Sequence, residues 1–204
     1  MSNVWFTSDL HFGHKRIVEL SHRPFADVAE MDEAIVKNWN AKVAPDDIGW
    51  ILGDLAIEGS WRSGLEWANE MNGRLRLITG NHDQAWPGKS EWAKYQAAYL
   101  EVFEAVVPWG RTKVGPNKVN LSHFPYVGDH TREDRFDKYR LPLQDRIIVH
   151  GHTHQTEKFS VAHLWNPEGG ITLVPQLHVG VDAWNFEPVS VKQLEDILAD
   201  WNNA

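Results

Sequence analysis

Five short blocks concentrate the groups able to bind metal and move protons: Asp9-Leu10-His11, Gly53-Asp54, Gly80-Asn81-His82-Asp83, Ser122-His123 and Gly151-His152-Thr153-His154. Taken alone, each has an ordinary explanation. Gly-Asp pairs suit turns for backbone reasons, and a single histidine at a strand end is more often a hydrogen-bonded structural residue than a ligand. Two blocks say more. In the Gly-His-Thr-His block, alternate residues of an extended segment share a face and can serve adjacent ions. In Gly80-Asn81-His82-Asp83, an amide, an imidazole and a carboxylate follow one glycine in a single turn. The chain holds eleven histidines and no cysteine, which excludes thiolate nucleophiles, disulfides, iron–sulfur clusters and Cys-containing zinc sites. Any metal must therefore be held by imidazole, carboxylate and amide donors. That set suits Mn²⁺, Fe, Co²⁺, Ni²⁺ or Zn²⁺, and not Ca²⁺.

Elements must bring these blocks together. With 204 residues, 42% hydrophobic, the chain has the size of one domain, 1–204, able to bury roughly 70% of its unfolded surface. Val4 to Thr7, Ile48 to Leu52 and Leu75 to Ile78 are short apolar strands, each running into one of the blocks. Further strands are expected at Val119–Leu121, Ile147–Val149, Ile171–Val174 and Leu177–Val181. Asp27 is an N-cap with Glu30 as capping-box partner, ahead of a helix whose Met31, Ile35 and Trp39 share a face, with Ala34 beside them. A second helical stretch spans Leu65 to Met71 and ends at Asn72-Gly73. Ser190 caps a final helix with Val191, Leu194, Ile197, Leu198 and Trp201 on one side. A β-α-β half followed by a strand-rich half predicts two stacked sheets flanked by helices, with the blocks at the strand ends where loops carry function.

Together and in this order, the five blocks resemble the calcineurin-like metallophosphoesterase family, whose pattern is Asp-x-His, Gly-Asp, Gly-Asn-His-Asp/Glu, His and Gly-His-x-His. They run from residue 9 to residue 154, about three quarters of the chain. Ser8 to His14 and Val179 to Trp184 resemble the small bacterial and phage members. The resemblance implies a four-layered α/β/β/α sandwich and a binuclear site. Asp9, His11, Asp54 and His154 match the ligands of the first metal. Asp54, Asn81, His123 and His152 match those of the second, with Asp54 bridging. His82 matches a histidine that contacts the scissile phosphate, and Asp83 an acidic residue that orients it. The implied reaction is phosphoester hydrolysis by a hydroxide bridging two divalent ions, with Mn²⁺ or an iron-containing pair favoured. Two such ions outweigh the protein's −2 at the site and attract phosphate.

A phosphodiester such as a 2′,3′-cyclic nucleotide is the expected substrate, since so small a chain lacks an evident phosphomonoester pocket. A phosphomonoesterase or protein phosphatase, a nuclease, and a non-catalytic metal-binding scaffold are the rival readings. The net charge of −8 argues against broad nucleic-acid binding. No signal peptide or membrane-length apolar run is visible, so a cytoplasmic location is expected. His14 is a candidate substrate contact, or else shapes the Phe12-Gly13 turn. His150 is read as structural, His178 as close to the site, and His22, His130 and His163 as surface residues. Trp86 and Trp184 are candidates to wall a pocket. The charged run from Pro125 to Asp145 is an exposed surface segment or, because it follows His123, a cover over the site.

Overall fold

The computed structural model describes residues 2–203 except 130, 132 and 134. His130, expected at the surface, and Arg132 and Asp134 of the charged run thus lie outside the described residues. The chain builds two five-stranded sheets. The first takes β1 (Val4–Thr7), β2 (Ile48–Ile51), β3 (Arg74–Ile78), β4 (Ala105–Val107) and β10 (Val189–Ser190) in the order β10-β1-β2-β3-β4. The second takes β5 (Trp109–Val114), β6 (Asn117–Ser122), β7 (Ile148–His150), β8 (Phe159–Trp165) and β9 (Ile171–His178) in the order β5-β6-β7-β9-β8. β1 to β4 run parallel, as do β6, β7 and β9. The helices are α1 (Ile17–Leu20), α2 (Val28–Asn40), α3 (Trp61–Asn69), α4 (Gln96–Leu100) and α5 (Val191–Asn202). This is the mixed α/β, two-sheet architecture that the resemblance implies.

Side-chain alternation on the parallel strands explains the layering. Ile51, Leu75 and Leu77 turn to one face and meet Met31, Ile35, Trp39 and Leu65 of the helices. Phe6, Trp50, Leu52 and Ile78 turn to the other and meet Val119, Leu121, Val149 and Leu177 of the second sheet. Leu194 and Leu198 of α5 join that inter-sheet core, while Tyr126, Leu141 and Leu143 cover Ile148, Ala162 and Val174 in a small separate cluster.

Local signals hold with adjustments. Asp27 caps α2 through the N–H groups of Ala29 and Glu30, but Glu30 accepts from Ala26, one residue outside the cap, so the box stays open. Ser190 caps α5, where Gln193 closes a full capping box. α3 starts earlier than its apolar face implied, at Trp61, and ends at Asn69. The two strands expected at 171–174 and 177–181 are one, β9, which passes through Pro175. Pairing to β7 begins only at Gln176, so the proline's missing N–H falls outside that ladder. After His178 the chain leaves the sheet for a 3-10 turn, Val181–Ala183.

The parallel strands that carry the blocks all end on the same side. β1 precedes Asp9, β2 precedes Asp54, β3 precedes Asn81 and His82, β6 precedes His123, and β7 precedes His152 and His154. Side chains from distant segments converge at such carboxyl ends.

Candidate metal centre

Backbone conformation marks the site first. Among the described residues, eight non-glycine positions have positive φ, and five are predicted ligands: Asp9 (58°), His11 (54°), Asp54 (55°), His152 (72°) and His154 (50°). Asp, Asn and His tolerate this region best, and such strain collects where side-chain aim matters more than backbone comfort. Close packing adds a second constraint. A Cβ on Gly151 or Gly180 would come within 2.6 or 2.9 Å of Asp9 Oδ2, so both positions must be glycine for the chain to pass this carboxylate.

The donors fall into two groups, Asp9–His11–His154 and Asp54–His123–His152, with donor atoms in each within 4.8 Å of one another. His11 Nε2 lies 3.2 Å from His154 Nε2, and His154 Nε2 lies 3.9 Å from Asp9 Oδ1. In the second group, His123 Nε2 lies 3.3 Å from Asp54 Oδ2 and 3.1 Å from Asn81 Oδ1. Asp54 Oδ2 is also 3.7 Å from His11 Nε2. One carboxylate oxygen therefore stands between the two groups, in the bridging position. Donors around an ion at about 2.0–2.2 Å stand roughly 3–3.5 Å apart, so the residues present fit a pair of metal ions. All seven sequence-predicted ligands are brought together.

Outer hydrogen bonds fix which ring nitrogen faces inward. His123 Nδ1 is 2.8 Å from the Leu52 carbonyl, which only accepts, so Nδ1 carries the proton and Nε2 is free to ligate. His154 Nδ1 is 2.9 Å from Asp182 Oδ2, with the same consequence. Burial drives the His11 imidazole well below its usual range, keeping a lone pair available. Burial also opposes charge on His123, but Asp54 overrides it and pushes that imidazole up to about 9. Asp54 is held well below the carboxylate range, since His123 outweighs the cost of burial. The field between them favours positive charge, and a divalent cation and a proton compete for the same Nε2.

Above the donors opens a cleft of about 1030 Å³. The half-buried His82 lines it, with its ring 5.2 Å from that of His11. The His82 N–H donates to Asp54 Oδ1 at 2.9 Å, strapping the Gly-Asn-His-Asp turn onto the carboxylate that stands between the two groups. Asp83 is a correction. Its carboxylate accepts from the backbone N–H groups of Asp54, Leu55 and Gly80 at 2.7–3.0 Å, so it shapes two ligand-bearing turns rather than aiming the His82 ring. Burial, and then the charge of Asp54, raise its carboxyl to about 7 against the Gly80 and Leu55 N–H groups and His123. His14 lines the cleft, its Nδ1 3.4 Å from His11 Nδ1, while its N–H donates to the His11 carbonyl and so shapes the turn.

Other expectations shift. His22 is exposed but also lines the cleft. His150 ends β7 buried, and His178 is buried beside it at 5.4 Å between rings, off the cleft. Trp184 does not wall the cleft: it fills the inter-sheet core and donates to the His178 carbonyl. Trp86 packs under Tyr139 and Phe136 instead, and lines a smaller cavity of about 170 Å³. The charged run divides. Glu133 and Lys138 are exposed, while Arg135 and Phe136 line the cleft and the Asp129 side chain is buried against His152.

One constellation escaped the sequence. Asp182 joins His154 to Arg23, whose Nε and Nη2 donate to its two oxygens at 2.9 and 3.0 Å. The same guanidinium donates to the carbonyls of Asp9 and Leu10. Both side chains are buried. The signal available was the Val179–Trp184 block, which contains Asp182 but does not reveal its partner.

Comparison with known proteins agrees with this geometry. The gene 66 proteins of Mycobacterium phages L5 and D29 are 44% and 38% identical over 97% and 98% of this chain, and 95% and 98% of their own length. An uncharacterized protein of Methanocaldococcus jannaschii, MJ1445, is 28% identical over 97% of the chain and 92% of its own. The crystal structure of AQ665, a protein of unknown function from Aquifex aeolicus, shares the fold with a TM-score of 0.68 at 21% identity, covering 97% of this chain and all of that one. The profile of the calcineurin-like phosphoesterases matches residues 2–156, from before Asp9 to just past His154. Two donor groups of the kind that family uses for its two divalent metals, met within that match, place this chain in the calcineurin-like phosphoesterase family.

Proposed function

We propose that this protein is a binuclear, Mn²⁺-dependent phosphodiesterase acting on a small ester. The observation that carries the reading is the position of Asp54 Oδ2, 3.7 Å from His11 and 3.3 Å from His123, on the floor of an open cleft. Two divalent ions held there supply an activated water and neutralise the phosphoryl oxygens. The protein's own groups do the rest. Asp9, His11 and His154 on one side, and Asn81, His123 and His152 on the other, fix where the phosphorus must sit. His82, on the cleft wall, donates a hydrogen bond or a proton to the leaving oxygen. Carboxylate and amide oxygens beside imidazoles favour Mn²⁺ among the metals this donor set accepts.

Charge favours a diester. A monoester brings a second negative charge that needs a second cation. Arg23 in the cleft is committed to Asp182 and two carbonyls, and Arg135 is paired with Asp129. Glu157 on the lining adds negative charge. The volume of about 1030 Å³ leaves room for an organic group on the ester. A small phosphoester, not a long nucleic acid, is the partner that a chain of net charge −8 suits, and a cytoplasmic setting goes with it. The test is a comparison of bis-p-nitrophenyl phosphate with p-nitrophenyl phosphate on Mn²⁺-loaded protein. Faster monoester turnover would overturn the diester reading.

A further inference from the structure

The charged run was expected to be either solvated or part of the site, and one of its acids is neither surface nor explained. The Asp129 side chain is 1% exposed, and its Oδ1 lies 3.4 Å from His152 Nε2. That separation falls within the range found between the ligands themselves, 3.1–3.9 Å. Asp129 stands outside the mutually close triad Asp54–His123–His152 and approaches it from the His152 side. A carboxylate so buried stays charged only beside cations. One is Arg135, whose Nη2 is 3.4 Å away and whose N–H also donates to Asp129.

Packing explains how the residue arrives there. Phe136 stacks on Phe124 at 5.2 Å and meets the His152 ring edge-on at 5.2 Å, while Tyr139 meets Trp86 at 4.7 Å. Arg140 donates to the Gly128 carbonyl and closes the loop on itself. The ring contacts anchor Phe136 and Tyr139 near His152, where Asp129 approaches the second donor group.

We infer that Asp129 is a further acidic residue of the second metal position, acting on the ion through the His152 imidazole or through one bound water. The inference rests on the binuclear reading above. Asp129 places a further carboxylate beside the pair, partly offset by Arg135, and so favours retention of a divalent ion at the second position.

The experiment is Mn²⁺ titration of the metal-free protein, following free Mn²⁺ by its EPR signal, for wild type, Asp129→Asn and Arg135→Ala. Wild type should bind two ions. In D129N the second ion should bind about 10–100-fold more weakly, as when outer groups of metal sites are removed, with the first ion and the circular dichroism unchanged. R135A removes the tether and keeps the carboxylate, and should bind both ions within about threefold of wild type. Two tightly bound ions in D129N would overturn this inference alone. Equal weakening in R135A would also overturn it, because Asp129 would then act only by holding the segment in place. A wild type binding fewer than two ions would overturn both this inference and the binuclear reading.

Discussion

The two donor groups differ in how they are held. The first, Asp9–His11–His154, is reached by solvent through His154, whose side chain is 15% exposed, and is braced from behind by charge. Asp182 grips His154, Arg23 grips Asp182, and the same guanidinium holds the Asp9 and Leu10 carbonyls. The second, Asp54–His123–His152, is buried throughout and braced mostly by backbone. The Leu52 carbonyl takes the His123 Nδ1 proton, and Asp83 holds the Asp54 turn by its N–H groups. Both groups border the cleft, but the first is braced by a buried ion-pair chain and the second by hydrogen bonds to and from the backbone. Asp54 is the residue they share.

That contrast can be broken most severely at Asp54. Asp54→Asn removes the shared charge, and metal analysis should find both ions disturbed and activity at background. Loss of a single ion would argue against a bridge. Next in size is His82→Ala, which removes the ring and keeps the backbone N–H that donates to Asp54: kcat should fall about 10²-fold or more with metal content intact. Metal loss in H82A would move His82 out of its assigned role.

Asp182→Ala should separate the two groups. It leaves a buried guanidinium without its carboxylate, which costs about 3–5 kcal/mol by the usual measure for a broken buried pair, read by urea unfolding. It should also weaken the first ion about 10–100-fold and spare the second. Equal weakening of both ions would mean that the two groups are not held independently.

The smallest effect lies at Asp32, which accepts from the Gly13 N–H at 2.9 Å and whose other oxygen has no partner among the described residues. Burial pushes its carboxyl up to about 7, with Gly13 and Arg23 pulling the other way. Because the folded form keeps a proton that the unfolded chain has released, Asp32 makes stability fall as pH rises from about 4 to about 7, and level above that. Asp32→Asn keeps the acceptor for Gly13 and should flatten this part of the stability profile. An unchanged pH dependence would mean that Asp32 is not its source.

The site was legible where chemistry is local. Asp, His and Asn beside glycine at strand ends name themselves, because the strand end fixes the position and the residue type fixes the donor. What was not legible depends on distance or disguise. Arg23 and Asp182 are 159 positions apart and meet only in the fold. Asp129 sat inside a run of charges, where its burial has no local signature. Asp83 took its expected place but a different role, since hydrogen bonds to three backbone groups leave no trace in sequence. Edge strands β5 and β8 were missed for a related reason: half-exposed strands such as Trp-Gly-Arg-Thr-Lys-Val carry little apolar pattern. The abundant tryptophans gain a partial explanation. Trp39 and Trp50 fill the two main cores, and Trp5 and Trp39 donate to Asp47 and the Asn72 carbonyl. Trp165, 74% exposed, has none.

The central claim is tested most directly by turnover of bis-p-nitrophenyl phosphate alongside metal counting on the same Mn²⁺-loaded sample. The bridged pair predicts two ions per chain, diester hydrolysis, and loss of both on chelation with recovery when Mn²⁺ is restored. Two tightly bound ions with no turnover of this diester, of p-nitrophenyl phosphate or of the cyclic mononucleotides would contradict it.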